Sequence, residues 1–253
     1  MRGSESIDFL HRISTNDLLQ FPDGQVRFTL LVSDKGRIID AAWIVHRNDH
    51  VLILLSKGTA EGTILWLNRY IIMEDIALTN VSSEYSVTIF ADKEKGHYHT
   101  EYFGHTVSFN IDGSSPDVSE TSIEYERWRI DQGIPKIGHE IVQDYNPLEL
   151  NLWNWISFTK GCYIGQEVIA RLDTYNKVQR TLCKFSSGDT VLEQTILCDT
   201  SGNELGKITS VISDGSDVVG LAMLRSTAAS TGSTYHLKDS DKTVKIEKVF
   251  RKE

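Results

Sequence analysis

Cysteine is scarce in this chain, and what there is lies scattered. Three occur in 253 residues, at Cys162, Cys183 and Cys198. An odd count with no C-x-x-C pair argues against a disulfide framework and against a structural zinc site, and it fits a reducing compartment. Long apolar runs are missing too: none approaches the roughly 18 residues of a membrane span. The opening stretch MRGSESIDFLHR turns polar and charged too early for a secretory signal, and no transit segment is visible. The expectation is a soluble cytoplasmic protein without a membrane partner. Basic residues are outnumbered, 26 against 35 acidic, for a net charge of −9. That balance disfavours nonspecific binding to nucleic acid, which needs a basic face. It leaves room for an anionic small ligand in a local basic pocket. Neither an internal repeat nor a low-complexity segment is evident.

What is present is ordinary globular material, 40% apolar and 24% charged, with a length that suits two or three modules. Residues Ile7–Leu19 have an apolar stripe near helical spacing, with Ser6 as a cap. Gln25–Val32 and Arg37–His46 read as strands joined by a turn at SDKG, where Gly36 is free to take positive φ. HVLILL (50–55) is a third strand, Thr59–Tyr70 a helix, and IALTNVS (76–82) a return to strand. This order predicts helices on one face of a mostly antiparallel sheet. Shorter strands follow over 84–111, then a loop at DGSSPD (112–117) and a helix that stops at Gly133, with Pro135 just beyond. From about Lys177, turn-rich stretches such as SSGD, DTSGNELG and SDGSD punctuate short β-rich runs. That texture predicts a small all-β barrel or sandwich.

The stretch KGCYIGQE (160–167) carries the most chemistry. The spacing predicts a helix over Gly165–Lys177, with Ile164, Val168, Leu172 and Tyr175 on one face and Glu167 and Arg171 as an i, i+4 ion pair. Cys162 then precedes a helix N-terminus. Free amides there, and the charge of Lys160, favour a thiolate. Gly161 and Gly165 let the backbone approach another surface closely. The residues alone leave two readings open: a small buried hydrophobe, or a reactive or metal-touching thiol. Cys183 and Cys198 sit in β-rich text and read as core.

Other constellations say less. GIPKIGHE (133–140) has G-x-x-x-x-G, but His139 and Glu140 replace the Lys and Ser/Thr of a phosphate loop. His97, His99 and His105 have no acidic or cysteine partner at fixed spacing and read as a surface loop, so no metal ligands are assigned. Tyr145, Trp153, Trp155 and Phe158 read as core packing or as an aromatic wall for a flat heterocycle. Such a pocket needs a few orienting polar groups, for which Arg129, Glu149, Gln166 and Arg171 are candidates.

The segment FTKGCYIGQEVIAR (158–171) resembles the K-G-C-[YF]-x-G-Q-E-x-x-x-R signature of the YgfZ-type folate-binding proteins, relatives of the glycine-cleavage T-protein. Lys160, Gly161, Cys162, Tyr163, Gly165, Gln166, Glu167 and Arg171 all fall in place. DFLHRISTNDL (8–18), SDKGRIID (33–40), RIDQGIPKIGHEI (129–141), NPLELNL (146–152) and LGKITSV (205–211) resemble further family segments in the same order. The resemblance implies an α+β fold: two α+β modules with mostly antiparallel sheets and a C-terminal β-barrel around a folate-sized cavity. In this chain it assigns 1–80 to a folate-binding module, 81–176 to a second module carrying the KGCYIGQE loop, and 177–253 to the barrel.

The resemblance also implies function: a tetrahydrofolate-binding accessory protein for iron–sulfur cluster assembly or repair, with client or assembly proteins as partners. Cys162 would be the functional thiol and Lys160 its electrostatic support. Gln166 and Glu167 would shape the loop, and Arg171 would pair with Glu167 or with the glutamate tail of the ligand. Arg129 and Glu149 remain cofactor-binding candidates. T-protein itself transfers an aminomethyl group to tetrahydrofolate. Its two adjacent aspartates are reduced here to Asp40, followed by Ala41. A folate-dependent aminomethyl or methyl transferase that uses Asp40 is therefore the second reading. A non-catalytic docking scaffold is the third.

Overall fold

The computed structural model describes residues 1–20, 22–90, 95–113, 123–214 and 217–252. Most of the expected DGSSPD loop lies outside them. The chain divides into two compact units, Met1–Glu120 with Asn154–Gln166, and Thr121–Trp153 with Glu167–Glu253.

The first unit begins with α1 (Ser6–Ile13), β1 (Val26–Val32), β2 (Ile38–Arg47), β3 (His50–Leu54) and α2 (Ala60–Asn68). The three strands form one antiparallel sheet in the order β1-β2-β3. The SDKG turn forms as expected: Gly36 takes φ +65, and its N–H donates to the Ser33 carbonyl. Side chains on β2 alternate, as strand geometry requires. Ala42 and Ile44 pack with Phe9, Leu10, Ile13, Trp66 and Leu67 from the two helices. Val45 joins Val26, Leu52, Val107 and Phe109 on the other face. That face is completed by β4 (Tyr85–Phe90), β5 (Tyr98–Tyr102) and β6 (His105–Gly113), an antiparallel sheet ordered β4-β6-β5. The central sheet is thus covered on both sides, and each fully buried Leu, Ile or Phe on it contributes about 1.5–3 kcal/mol.

Three local expectations are corrected. The first helix ends at Ile13 rather than Leu19. Ser14 turns extended, its Oγ bonds back to the Leu10 carbonyl, and Asn16 is fixed to β1 through Thr29 and Phe28. Ser6 lies inside the helix and is not its cap. Residues 76–82 form no strand and make only an isolated bridge, Arg2 to Ala77.

The second unit holds α3 (Ile123–Gln132), six strands, and most of α4 (Gln166–Thr174), whose first residue falls in the first unit; a 3-10 turn at Trp153–Trp155 also straddles the division. The strands are β7 (Arg180–Ser187), β8 (Ile196–Cys198), β9 (Glu204–Asp214), β10 (Asp217–Arg225), β11 (Thr234–Leu237) and β12 (Thr243–Phe250). They close into a barrel ordered β10-β7-β12-β11-β8-β9, which is the expected C-terminal β module. Cys183, Phe185, Leu197, Ile208, Leu224 and Ile246 fill its interior. Gly133, at positive φ, ends α3 as expected. α4 differs from its predicted face: Ile169 is its buried residue, whereas Val168 and Tyr175 are exposed. No ion pair joins Glu167 to Arg171 among the described residues.

Candidate functional site

In the first unit, the segment bearing Cys162 is pinned at both ends. At the near end the Ser157 N–H donates to the Thr15 carbonyl (2.9 Å), and the Thr15 hydroxyl donates to the Trp155 carbonyl (2.7 Å). The Lys160 side chain then runs inward. Its ammonium donates to the carbonyls of His11, Ser14 (2.6 Å) and Asn16 (2.8 Å). These oxygens lie at and just past the end of α1, where unpaired carbonyls and the negative end of the helix dipole favour a cation. Burial pulls the Lys160 ammonium down to about 8, opposed by the charge of Asp17. No hydrogen bond joins Lys160 to Cys162 among the described residues.

At the far end Gly165 sits at φ +78, and a Cβ there would lie 2.4 Å from the Ser33 carbonyl oxygen and 3.2 Å from Gly36. The close approach expected of Gly165 is therefore made against the β1–β2 turn. Gly161 has open space around it.

Between these anchors Cys162 is exposed, while Cys183 and Cys198 are buried. Burial pushes the Cys183 thiol up to about 12. Tyr163 follows Cys162 and turns inward. It is 7% exposed, the Lys160 ammonium stands 4.9 Å from its ring centroid, and its hydroxyl has no hydrogen-bond partner among the described residues. The signature makes Tyr163 visible in the sequence, but nothing in residue type or spacing marks its hydroxyl as unpaired.

Asp40 lies on β2, fully buried. Its carboxylate accepts hydrogen bonds from Thr59 (2.6 Å), Thr63 (3.2 Å) and the Ala41 N–H (2.8 Å). Burial raises its pKa, and those hydrogen bonds offset part of the rise.

In the second unit Arg129 and Glu149 are buried in polar networks of their own. Arg129 donates to Glu126 (2.6 Å) and Ser210 (3.0 Å) and lies 3.7 Å from Glu140. Ser210 in turn donates to Glu140 (2.7 Å). Glu149 accepts from the Asn146 N–H (3.1 Å), with Arg180 4.0 Å away. Glu167 and Arg171 are exposed on α4, and Gln166 is half-buried at its start.

The four aromatic residues weighed as a wall have separate settings. Trp155 packs on Phe28, Tyr102 and Phe103. Trp153 carries the Lys252 ammonium, 4.2 Å from its ring centroid. Tyr145 is buried, with Arg180 and Lys207 over its ring. Phe158 is exposed. Among the described residues, no group of three or more His, Cys, Asp and Glu side chains is placed to hold a metal ion, and no helix is long and apolar enough to cross a membrane.

Comparison with known proteins bears on this arrangement. Residues 1–90 match the GCVT N-terminal domain. A chloroplastic candidate transferase of Arabidopsis thaliana is 29% identical over 92% of this chain and 64% of its own length. An aminomethyltransferase of Chlorobium phaeovibrioides is 25% identical over 68% of this chain and 61% of its own. The chain thus spans less than two thirds of the length of these curated relatives. The glycine cleavage system aminomethyltransferase T of Bartonella henselae superposes with a TM-score of 0.77 at 15% identity, covering 98% of this chain and 81% of that one. The fold, with its antiparallel sheets, closed six-stranded barrel and few helices, is T-protein-like. The chain is thus similar to the GCVT N-terminal domain over residues 1–90, to these transferases along most of its length, and to the T-protein in fold.

Proposed function

We propose that the chain binds tetrahydrofolate and serves as an accessory factor for iron–sulfur cluster assembly or repair, as in the YgfZ-type branch, with the Cys162 thiol as its working group. One observation carries this reading: Cys162 is the exposed cysteine, on a segment anchored by Lys160 on one side and Gly165 on the other. Lys160 and Gly165 fix the backbone on either side of the thiol, so Cys162 is presented from a held segment. An exposed free thiol suits a reducing compartment such as the cytoplasm.

One buried group in this segment supports a folate ligand. The folate pterin ring offers both N–H donors and a carbonyl acceptor, and the unpaired Tyr163 hydroxyl can give or take a hydrogen bond. When bound, tetrahydrofolate supplies a one-carbon carrier. Cys162 supplies a sulfur that, on losing its proton, can ligate iron of a client, or can form a C–S bond to a folate-linked carbon as the C–N bond breaks and the folate nitrogen takes up a proton. Calorimetric titration with tetrahydrofolate tests the reading. Micromolar or tighter binding supports it, and no binding at all sinks it.

A second reading, folate-dependent aminomethyl transfer, draws on the names of the relatives and on the raised pKa of Asp40. Against it, the Asp40 carboxylate is held by Thr59, Thr63 and the Ala41 N–H, and the residue has no exposed surface. Aminomethyl transfer by the purified protein, abolished in Asp40→Asn, would favour this reading over the first.

A further inference from the structure

The Tyr163 hydroxyl is an anomaly. Buried hydroxyls nearly always find a partner, and an unpaired one calls for a reason. This one has none among the described residues, and its residue is only 7% exposed. It adjoins the exposed Cys162, on the segment between the Lys160 and Gly165 anchors. The ring is held from one side by the Lys160 ammonium, 4.9 Å from its centroid. Packing alone does not require the oxygen: a phenylalanine would fill the same ring volume and leave no polar atom unpaired.

Resting on the folate reading above, we propose that Tyr163 is a ligand-positioning residue whose hydroxyl, unpaired in the free protein, acquires its hydrogen bond from bound tetrahydrofolate. The hydroxyl is enclosed in the free protein, so pairing requires the 161–163 segment to shift. At Gly161 a Cβ would meet nothing within 4 Å, so no packing contact wedges the segment at that position. Burial pushes the phenol up to about 12, so it stays protonated at neutral pH and can donate to a ring carbonyl or nitrogen as well as accept.

The experiment compares wild type with Tyr163→Phe in two measurements: thermal unfolding without ligand, and calorimetric titration with tetrahydrofolate. The variant should unfold at a higher temperature, because it no longer buries an unpaired hydroxyl. It should also bind about tenfold more weakly, the value of one net hydrogen bond. Equal affinity in the two proteins overturns the proposal and leaves the folate reading standing. A lower unfolding temperature in the variant also overturns it, since the hydroxyl then has a partner, protein or internal water, in the free state. No binding by either protein overturns the folate reading itself, and the proposal with it.

Discussion

The Lys160 ammonium lies 2.6 Å from the Ser14 carbonyl oxygen, 146 positions earlier in the chain. With the carbonyls of His11 and Asn16 this makes one lysine the cap for the end of α1 and the anchor of the cysteine segment. Replacing it by methionine keeps the apolar stem and leaves three carbonyls unpaired. Lys160→Met should cost about 2–4 kcal/mol in chemical denaturation. A cost under about 0.5 kcal/mol would mean that water satisfies those oxygens equally well.

Gly165 and Gly161 form an internal control. Alanine at 165 meets both a positive φ and the Ser33 oxygen, whereas alanine at 161 meets open space. Gly165→Ala should destabilise by about 2 kcal/mol or more, and Gly161→Ala by about 0.5 kcal/mol or less. Equal costs would contradict the packing of the segment on the β1–β2 turn.

His11 should make stability depend on acid pH. Its Nδ1 accepts the Leu18 N–H at 3.1 Å, which requires that nitrogen to be unprotonated. Its pKa is lowered below the ordinary 6.5, first by burial and then by the Lys160 ammonium, with Asp17 and Asp8 pulling the other way. Between the folded value and 6.5 the unfolded chain binds more protons, so stability rises with pH through that window. Stability is therefore lost as pH falls below about 6.5. Thermal midpoints from pH 8 to pH 5 should show the loss, and His11→Asn, which keeps an acceptor, should reduce it.

Arg129 is held by Glu126, Ser210 and Glu140 in the second unit. Its removal should act on stability. Arg129→Met strands the fully buried Glu140 and should cost about 3–5 kcal/mol. Normal stability combined with lost tetrahydrofolate affinity would assign Arg129 to binding instead.

The parts of this structure legible in the sequence are those set by local chemistry. The SDKG turn, the helix stop at Gly133 and the turn-punctuated barrel each follow from residues next to one another. Gly165 was legible as a point of close approach, but the surface it meets, the Ser33–Gly36 turn, lies more than a hundred residues away. The Lys160 anchor was not legible at all, because its acceptors are backbone carbonyls, which every residue carries. The apolar pattern over Ile164–Tyr175 suggested the wrong face for α4. Periodicity marks what a helix could bury, and with Val168 and Tyr175 exposed only Ile169 is buried.

The most direct test of the central claim is Cys162→Ala, assayed for its ability to restore iron–sulfur enzyme activity in cells lacking the protein. Because Cys162 is exposed and hydrogen-bonds to no described residue, the thermal midpoint and tetrahydrofolate affinity should match wild type within error while restoration is lost. Full restoration by the variant would contradict a working role for the thiol.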